Sequence, residues 1–170
     1  MNKPQKKGVI VSAVSPQISP AYQSAISQAG NHYETMSILV EKQMKRGVDY
    51  GIIPGGKKPT LLKGGAEKLC KLFGLRASYE LIDFITDFEK PLFYYQYRCT
   101  LMRQGEVVGQ GDGSSNSKEK KYEAQQYKIF DLTNTICKMS QKRAFVAAVL
   151  SSCGASTMFT QDMEDMGGAE

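Results

Sequence analysis

An α+β domain, in which a three-stranded antiparallel β-meander packs against a long C-terminal helix behind N-terminal helices, is what three features of this 170-residue sequence predict. Phe93, Tyr95, Tyr97, Cys99 and Leu101 alternate with Tyr94, Gln96, Arg98 and Thr100, the period of two that gives a strand one core face and one polar face. Extended runs over 78–85 and 107–113 flank it across the short turns 87–91 and 103–106, so consecutive strands fold back on one another. Leu132, Ile136, Met139, Val146 and Leu150 then recur at helical spacing, and one apolar stripe on one apolar sheet face closes a single core.

The elements follow in order. Residues 1–19 mix Lys, Pro, Ser and Gln around Val9, Ile10 and Val11 and are expected to form a flexible arm. Pro20 opens a short helix that Gly30 ends, with Tyr22, Ala25, Ile26 and Ala29 on its apolar side. Asn31 followed by Glu34 caps a second helix to about Arg46, striped by Tyr33, Met36, Val40 and Met44 and ended by Gly47. Two prolines and three glycines in 48–60 predict an irregular connection or a hairpin. A helix over 64–73 buries Ala66, Leu69, Cys70 and Phe73, pairs Glu67 with Lys71 and stops at Gly74. In the third strand Gly109, Gly111 and Gly113 share a face, which leaves room for the C-terminal helix to approach. Residues 114–122 are polar and cationic, and 123–131 read as loop or helix. The domain therefore spans 20–158, between the arm 1–19 and an acidic tail 159–170.

A chain of this length with 41% hydrophobic residues builds one compact core. Its formal charge of +5 understates the basicity of the body, because residues 162–170 hold Asp162, Glu164, Asp165 and Glu170 and no Lys or Arg. A polyanion suits such a field. Cys70, Cys99, Cys137 and Cys153 are isolated, and His32 is the sole histidine, which argues against a zinc site and calls for no metal or cofactor. With no apolar window of membrane-spanning length and no leader, a cytoplasmic protein with buried free thiols is expected.

The candidate site residues are cations. Lys138 and Lys142 lie one turn apart on the C-terminal helix, Arg143 follows, and Asn134 lies a turn earlier; this stripe either faces phosphate or is an ordinary solvated face. Lys118, Lys120 and Lys121 fall between the third strand and that helix. Lys57 and Lys58 occupy a Pro-Gly-Gly loop that can offer backbone amides and charge but lacks P-loop spacing. Arg98 shares the polar strand face with Tyr94, whose ring can stack a base. Asp112 with Glu119-Lys-Lys121 offers a metal-dependent nuclease as an alternative, provided Glu119 lies on a strand. A structural adaptor, whose basic helix meets an acidic partner without binding DNA, is another.

Three segments carry a family likeness: Lys68-Leu-Cys-Lys-Leu-Phe-Gly74, Gly111-Asp-Gly-Ser-Ser-Asn-Ser117, and Lys138-Met-Ser-Gln-Lys-Arg-Ala144 followed by Ser152-Cys-Gly154. In this order around the meander, over roughly 60–155, the chain resembles the single-strand annealing proteins of phages and mobile elements, in the superfamily typified by the eukaryotic recombination mediator Rad-fifty-two. The resemblance implies a β-β-β-α core, protomers assembled side by side into rings or filaments, and single-stranded DNA held and annealed in a basic groove during recombination in a bacterial host cell. It implies no catalytic group. Lys142 and Arg143 would line that groove, the partners being single-stranded DNA, the annealed duplex and further copies of the chain. The tail would recruit a single-strand-binding protein or an exonuclease, or screen the groove. The family's most basic meander hairpin has no clear copy here; Lys90, Arg98 and Arg103 are the cations available.

Overall fold

The computed structural model describes residues 19–52 and 58–160. They fall into two units, one ending at Ile38 and the other beginning at Leu39. Helix α1, Pro20–Gln43, runs through that boundary as one uninterrupted element. The two shorter helices expected on either side of Gly30 are thus a single helix. A helix-interior glycine costs only about 1 kcal/mol against alanine, and Gly30 keeps a negative φ, whereas Gly47, beyond the helix end, takes φ +83° and turns the chain. Asn31 does not cap; its carbonyl accepts a hydrogen bond from the Thr35 hydroxyl at 2.8 Å inside the helix.

The second unit has the predicted α+β architecture. Strand β1, Tyr50–Gly51, pairs antiparallel with β2, Thr60–Leu61, so the glycine- and proline-rich stretch closes a small hairpin. Helix α2, Lys63–Leu72, follows; its Ala66, Leu69 and Cys70 are buried, and Gly74 at φ +64° supplies the left-handed stop that its position predicted. Glu67 pairs with Lys63 at 3.4 Å and not with Lys71. The meander is β3, Arg76–Asp87, β4, Leu92–Arg103, and β5, Glu106–Asn116, all antiparallel in the order β3-β4-β5. A 3-10 segment, Lys120–Lys128, leads to helix α3, Thr133–Ser152.

Helix α3 lies across β4 and β5 and runs antiparallel to β5, since Ser152 meets Gly109, Ala148 meets Gly111 and Ala144 meets Gly113. A β-carbon at Gly113 would come within 2.7 Å of the Arg143 carbonyl carbon. The three glycines, with Ala144 and Ala148 opposite, therefore let the helix backbone settle onto the strand. Phe93, Cys99 and Leu101 of β4, Ile136 and Val149 of α3 and Leu69 of α2 are fully buried. Full burial of such aliphatic or aromatic side chains contributes about 1.5–3 kcal/mol each. Of the expected helix stripe, Ile136, Val146 and Leu150 are in the core, while Leu132 and Met139 are half-buried.

Strand β3 has no such cover. Tyr79 lies across Cys99 and Gly111 in the register, which puts Ala77, Tyr79 and Leu81 on the helix side of the sheet, and a bulge at 81–83 resets the alternation so that Phe84 returns there opposite Tyr95. Tyr79, Leu81, Ile82, Phe84 and Ile85 are all exposed, and among the described residues one long edge of β3 is unpaired.

At the other end of the unit the expected domain boundary moves. Acidic composition places Phe159 and Thr160 in the tail, yet both are buried: Thr160 donates its N–H to the Pro59 carbonyl at 2.9 Å and accepts from Leu61 N–H at 3.1 Å. The domain thus includes residue 160, and the acidic remainder, 161–170, lies outside the described residues. Inside this corner Asp49 is 1% exposed and accepts from Lys68 Nζ at 2.6 Å and Lys45 N–H at 2.8 Å.

Candidate nucleic-acid interface

Seating α3 low over β4 and β5 leaves a trough between its outer side and the uncovered strand β3. A hollow of about 500 Å³ there is lined by Thr135, Lys138, Met139, Gln141 and Lys142 of α3, Lys63 at the start of α2 and Tyr79 of β3. A second hollow of about 220 Å³ adjoins it, sharing Met139 and Lys142 and bounded by Thr60, Leu61, Leu62, Arg143 and Val146. Lys142 borders both. Three ammonium groups and one aromatic ring surround the open trough, and of the three Lys63 is shared with Glu67 across an exposed 3.4 Å contact. Cations and rings are the groups that track a phosphate backbone and stack bases. The Tyr79 phenol is pushed up to about 12, first by desolvation and then by the neighbouring thiols, so it stays a neutral ring at any working pH.

The helix cations divide by partner. Among the described residues no ion pair engages Lys138 or Lys142. Arg143 is differently placed, since its guanidinium donates to both Glu119 carboxylate oxygens, at 2.7 and 2.8 Å, and to the Ser114 carbonyl at 2.6 Å. Glu119 also lies 3.0 Å from Lys121 Nζ, and Lys121 sits 4.8 Å over the Tyr122 ring. Burial works against the Glu119 charge, but the bonds from Arg143, Ser115, Lys121 and Asn116 outweigh it and hold the carboxyl down to about 2. Arg143 and Lys121 therefore face an internal anion, and Arg143 borders the smaller hollow with its guanidinium already paired. Lys118 and Lys120 are in the same turn, Lys118 exposed and Lys120 exposed beside it.

Arg98 and Tyr94 stand on the opposite face of the sheet. Because Gly111 and Gly113 point at α3, Asp112 points away from it, and Arg98 grips Asp112 with two hydrogen bonds of 2.8 and 2.9 Å while Glu80 lies across from it on β3. Flanked by two carboxylates, Arg98 offers little net charge to phosphate. The Tyr94 hydroxyl bonds Gln96 at 3.0 Å. Lys58 is exposed, and Lys57 lies outside the described residues. Asp112 and Glu119, the carboxylates of the nuclease alternative, are each taken up by a different arginine, and Glu119 sits in the turn after β5 and not on a strand. No group of three or more metal-ligating side chains occurs among the described residues.

Two further residues of the trough, Lys63 and Tyr79, carry no local signal in the sequence. Lys63 stands among ordinary helix-start residues and Tyr79 among alternating strand residues; the topology that opens β3 beside α3 brings them together. Compared with known proteins, the chain matches no family model and no curated sequence. No helix among the described residues is long and apolar enough to cross a membrane.

Proposed function

We propose that this protein binds single-stranded DNA without sequence preference and anneals complementary strands, as part of an oligomer and without enzymatic chemistry. The observation that carries the reading is the convergence of Lys63, Lys138 and Lys142 with Tyr79 on one open trough. Cations along a trough neutralise phosphates and release counterions, which supplies affinity without reading bases. An aromatic wall accepts any base, and an open trough leaves base edges free to test a complementary strand. The uncovered β3 supports side-by-side assembly, because an unpaired, apolar edge is costly for a lone protomer to expose and a head-to-tail contact builds rings or filaments. Buried free thiols suit a reducing cytoplasm.

The test is titration of a labelled oligothymidylate at several salt concentrations, followed by annealing of complementary oligonucleotides. Binding that weakens with salt at a log-log slope of about −0.7 per phosphate neutralised, together with annealing, is expected. Wild-type protein that binds no single-stranded DNA at low salt overturns the reading, and cleavage of DNA with magnesium would favour the nuclease instead.

A further inference from the structure

Five donors converge on the Glu119 carboxylate: Arg143 Nη1 at 2.7 Å, Arg143 Nη2 at 2.8 Å, the Ser115 hydroxyl at 2.8 Å, the Asn116 N–H at 3.0 Å and Lys121 Nζ at 3.0 Å. A guanidinium fork, an ammonium, a hydroxyl and a backbone amide aimed at one point form the donor set that recognises a phosphate group. Glu119 is 19% exposed in its side chain, with Arg143 and Lys121 more open than that, so the constellation is reachable from solvent. Arg143 is also among the residues that bound the smaller hollow, which shares Met139 and Lys142 with the larger one.

We propose that this constellation is a phosphate-binding site kept occupied by the chain's own Glu119, which a phosphate of the DNA backbone displaces when a strand enters the trough. The proposal rests on the DNA-binding reading above and adds to it a built-in competitor. The exchange leaves the donors satisfied by one anion or the other, and the displaced carboxylate passes into water. A tethered carboxylate has a high effective concentration, so a single free phosphate competes poorly with it. A strand already held by Lys63, Lys138 and Lys142 presents its next phosphate at a comparable effective concentration and wins. Glu119 thereby makes the site selective for a polyanion over nucleotides and inorganic phosphate.

The experiment compares the full chain with Glu119→Gln, with Glu119→Gln/Arg143→Ala, and with Asp112→Asn as a charge-matched control on the other face of the sheet. Glu119→Gln should bind oligothymidylate about tenfold more tightly, with a log-log salt slope steeper by about 0.7 for the phosphate gained. The gain should vanish in the double variant and be absent in Asp112→Asn. In a thermal-shift assay inorganic phosphate should raise the melting temperature of Glu119→Gln and leave the wild type unmoved. A folded Glu119→Gln with wild-type affinity and slope overturns the proposal, as does an equal gain in Asp112→Asn, which would mark simple loss of repulsion. Should Glu119→Gln not fold, Glu119→Asp, with its carboxylate drawn back by one methylene, is held to the same outcomes. If the wild type binds no DNA the functional reading falls, and the phosphate-induced melting shift of Glu119→Gln still decides the anion site.

Discussion

Gly111 of β5 faces the backbone of α3 so closely that a β-carbon on it would lie 2.8 Å from the Ala148 α-carbon. The three nearest atoms, from Ala147 and Ala148, are all main chain, so no side-chain rotation can relieve the contact, and the helix itself would have to lift. Gly111→Ala should therefore destabilise the fold by about 1–3 kcal/mol, the usual range for overpacking. Urea denaturation measures it; an unchanged midpoint would mean that α3 seats less deeply than described.

The trough lysines and Arg98 should separate cleanly under the proposed function. Lys138→Ala/Lys142→Ala and Lys63→Ala should each weaken oligothymidylate binding and flatten its salt slope by about 0.7 for every phosphate left unneutralised. Arg98→Ala, on the other sheet face beside Glu80 and Asp112, should leave both unchanged. Fluorescence polarisation across a salt series reads the comparison, and an Arg98→Ala defect equal to that of the lysine pair would move the site to the outer face.

Acid should loosen the protein at two places. Asp49 is held below its ordinary 3.8 because, although burial opposes ionisation, the bonds from Lys68 and the Lys45 N–H prevail. Glu119 is held down to about 2 against an ordinary 4.5. Both folded values lie below the unfolded ones, so the stability they contribute is present above the unfolded values and drains away as pH falls through the folded ones. Lys68→Met, which strands the buried Asp49 carboxylate, should cost about 2 kcal/mol at neutral pH, a figure tempered by the partial exposure of Lys68. Its deficit should shrink as Asp49 protonates. Thermal melts from neutral pH down into strong acid check this, and a deficit that persists unchanged at the acid end would contradict the pairing.

Charge placed on the open strand should act on assembly before it acts on folding. Leu81 and Phe84 are exposed on the helix side of β3, so Leu81→Lys/Phe84→Lys should change the melting midpoint little and lower the mass seen by light scattering under the proposed oligomeric reading. A variant of unaltered mass would place the protomer contacts elsewhere.

The meander is legible in the sequence because each strand carries its own period of two and its own turn, and α3 because its stripe is long. Gly109, Gly111 and Gly113 announce the helix contact, since glycine on alternate positions has few uses in a strand other than close approach. Gly30 misleads because the same residue ends some helices and merely weakens others, and the choice depends on packing beyond the local window. Phe159 looks like part of a frayed end because its acidic neighbours mask one buried ring and a backbone bridge between Thr160 and Thr60. The site is half legible. Lys138 and Lys142 follow from helix geometry, whereas Lys63 and Tyr79 reach the trough only through the order of the sheet. Arg143 is visible as a cation, but Glu119, a loop carboxylate by its neighbours, gives no sign that it will claim that charge.

The thiols set up a chemical asymmetry. Cys70 and Cys99 are pushed up to about 11 and Cys153 to about 12, chiefly by burial, and all three are enclosed in the core. Cys137 is only half-buried, with the Tyr97 hydroxyl 3.3 Å from its sulfur. An alkylating fluorophore at neutral pH should therefore mark Cys137 ahead of the others. That dye would sit on α3 beside Lys138, a reporter of strand entry installed without engineering the chain.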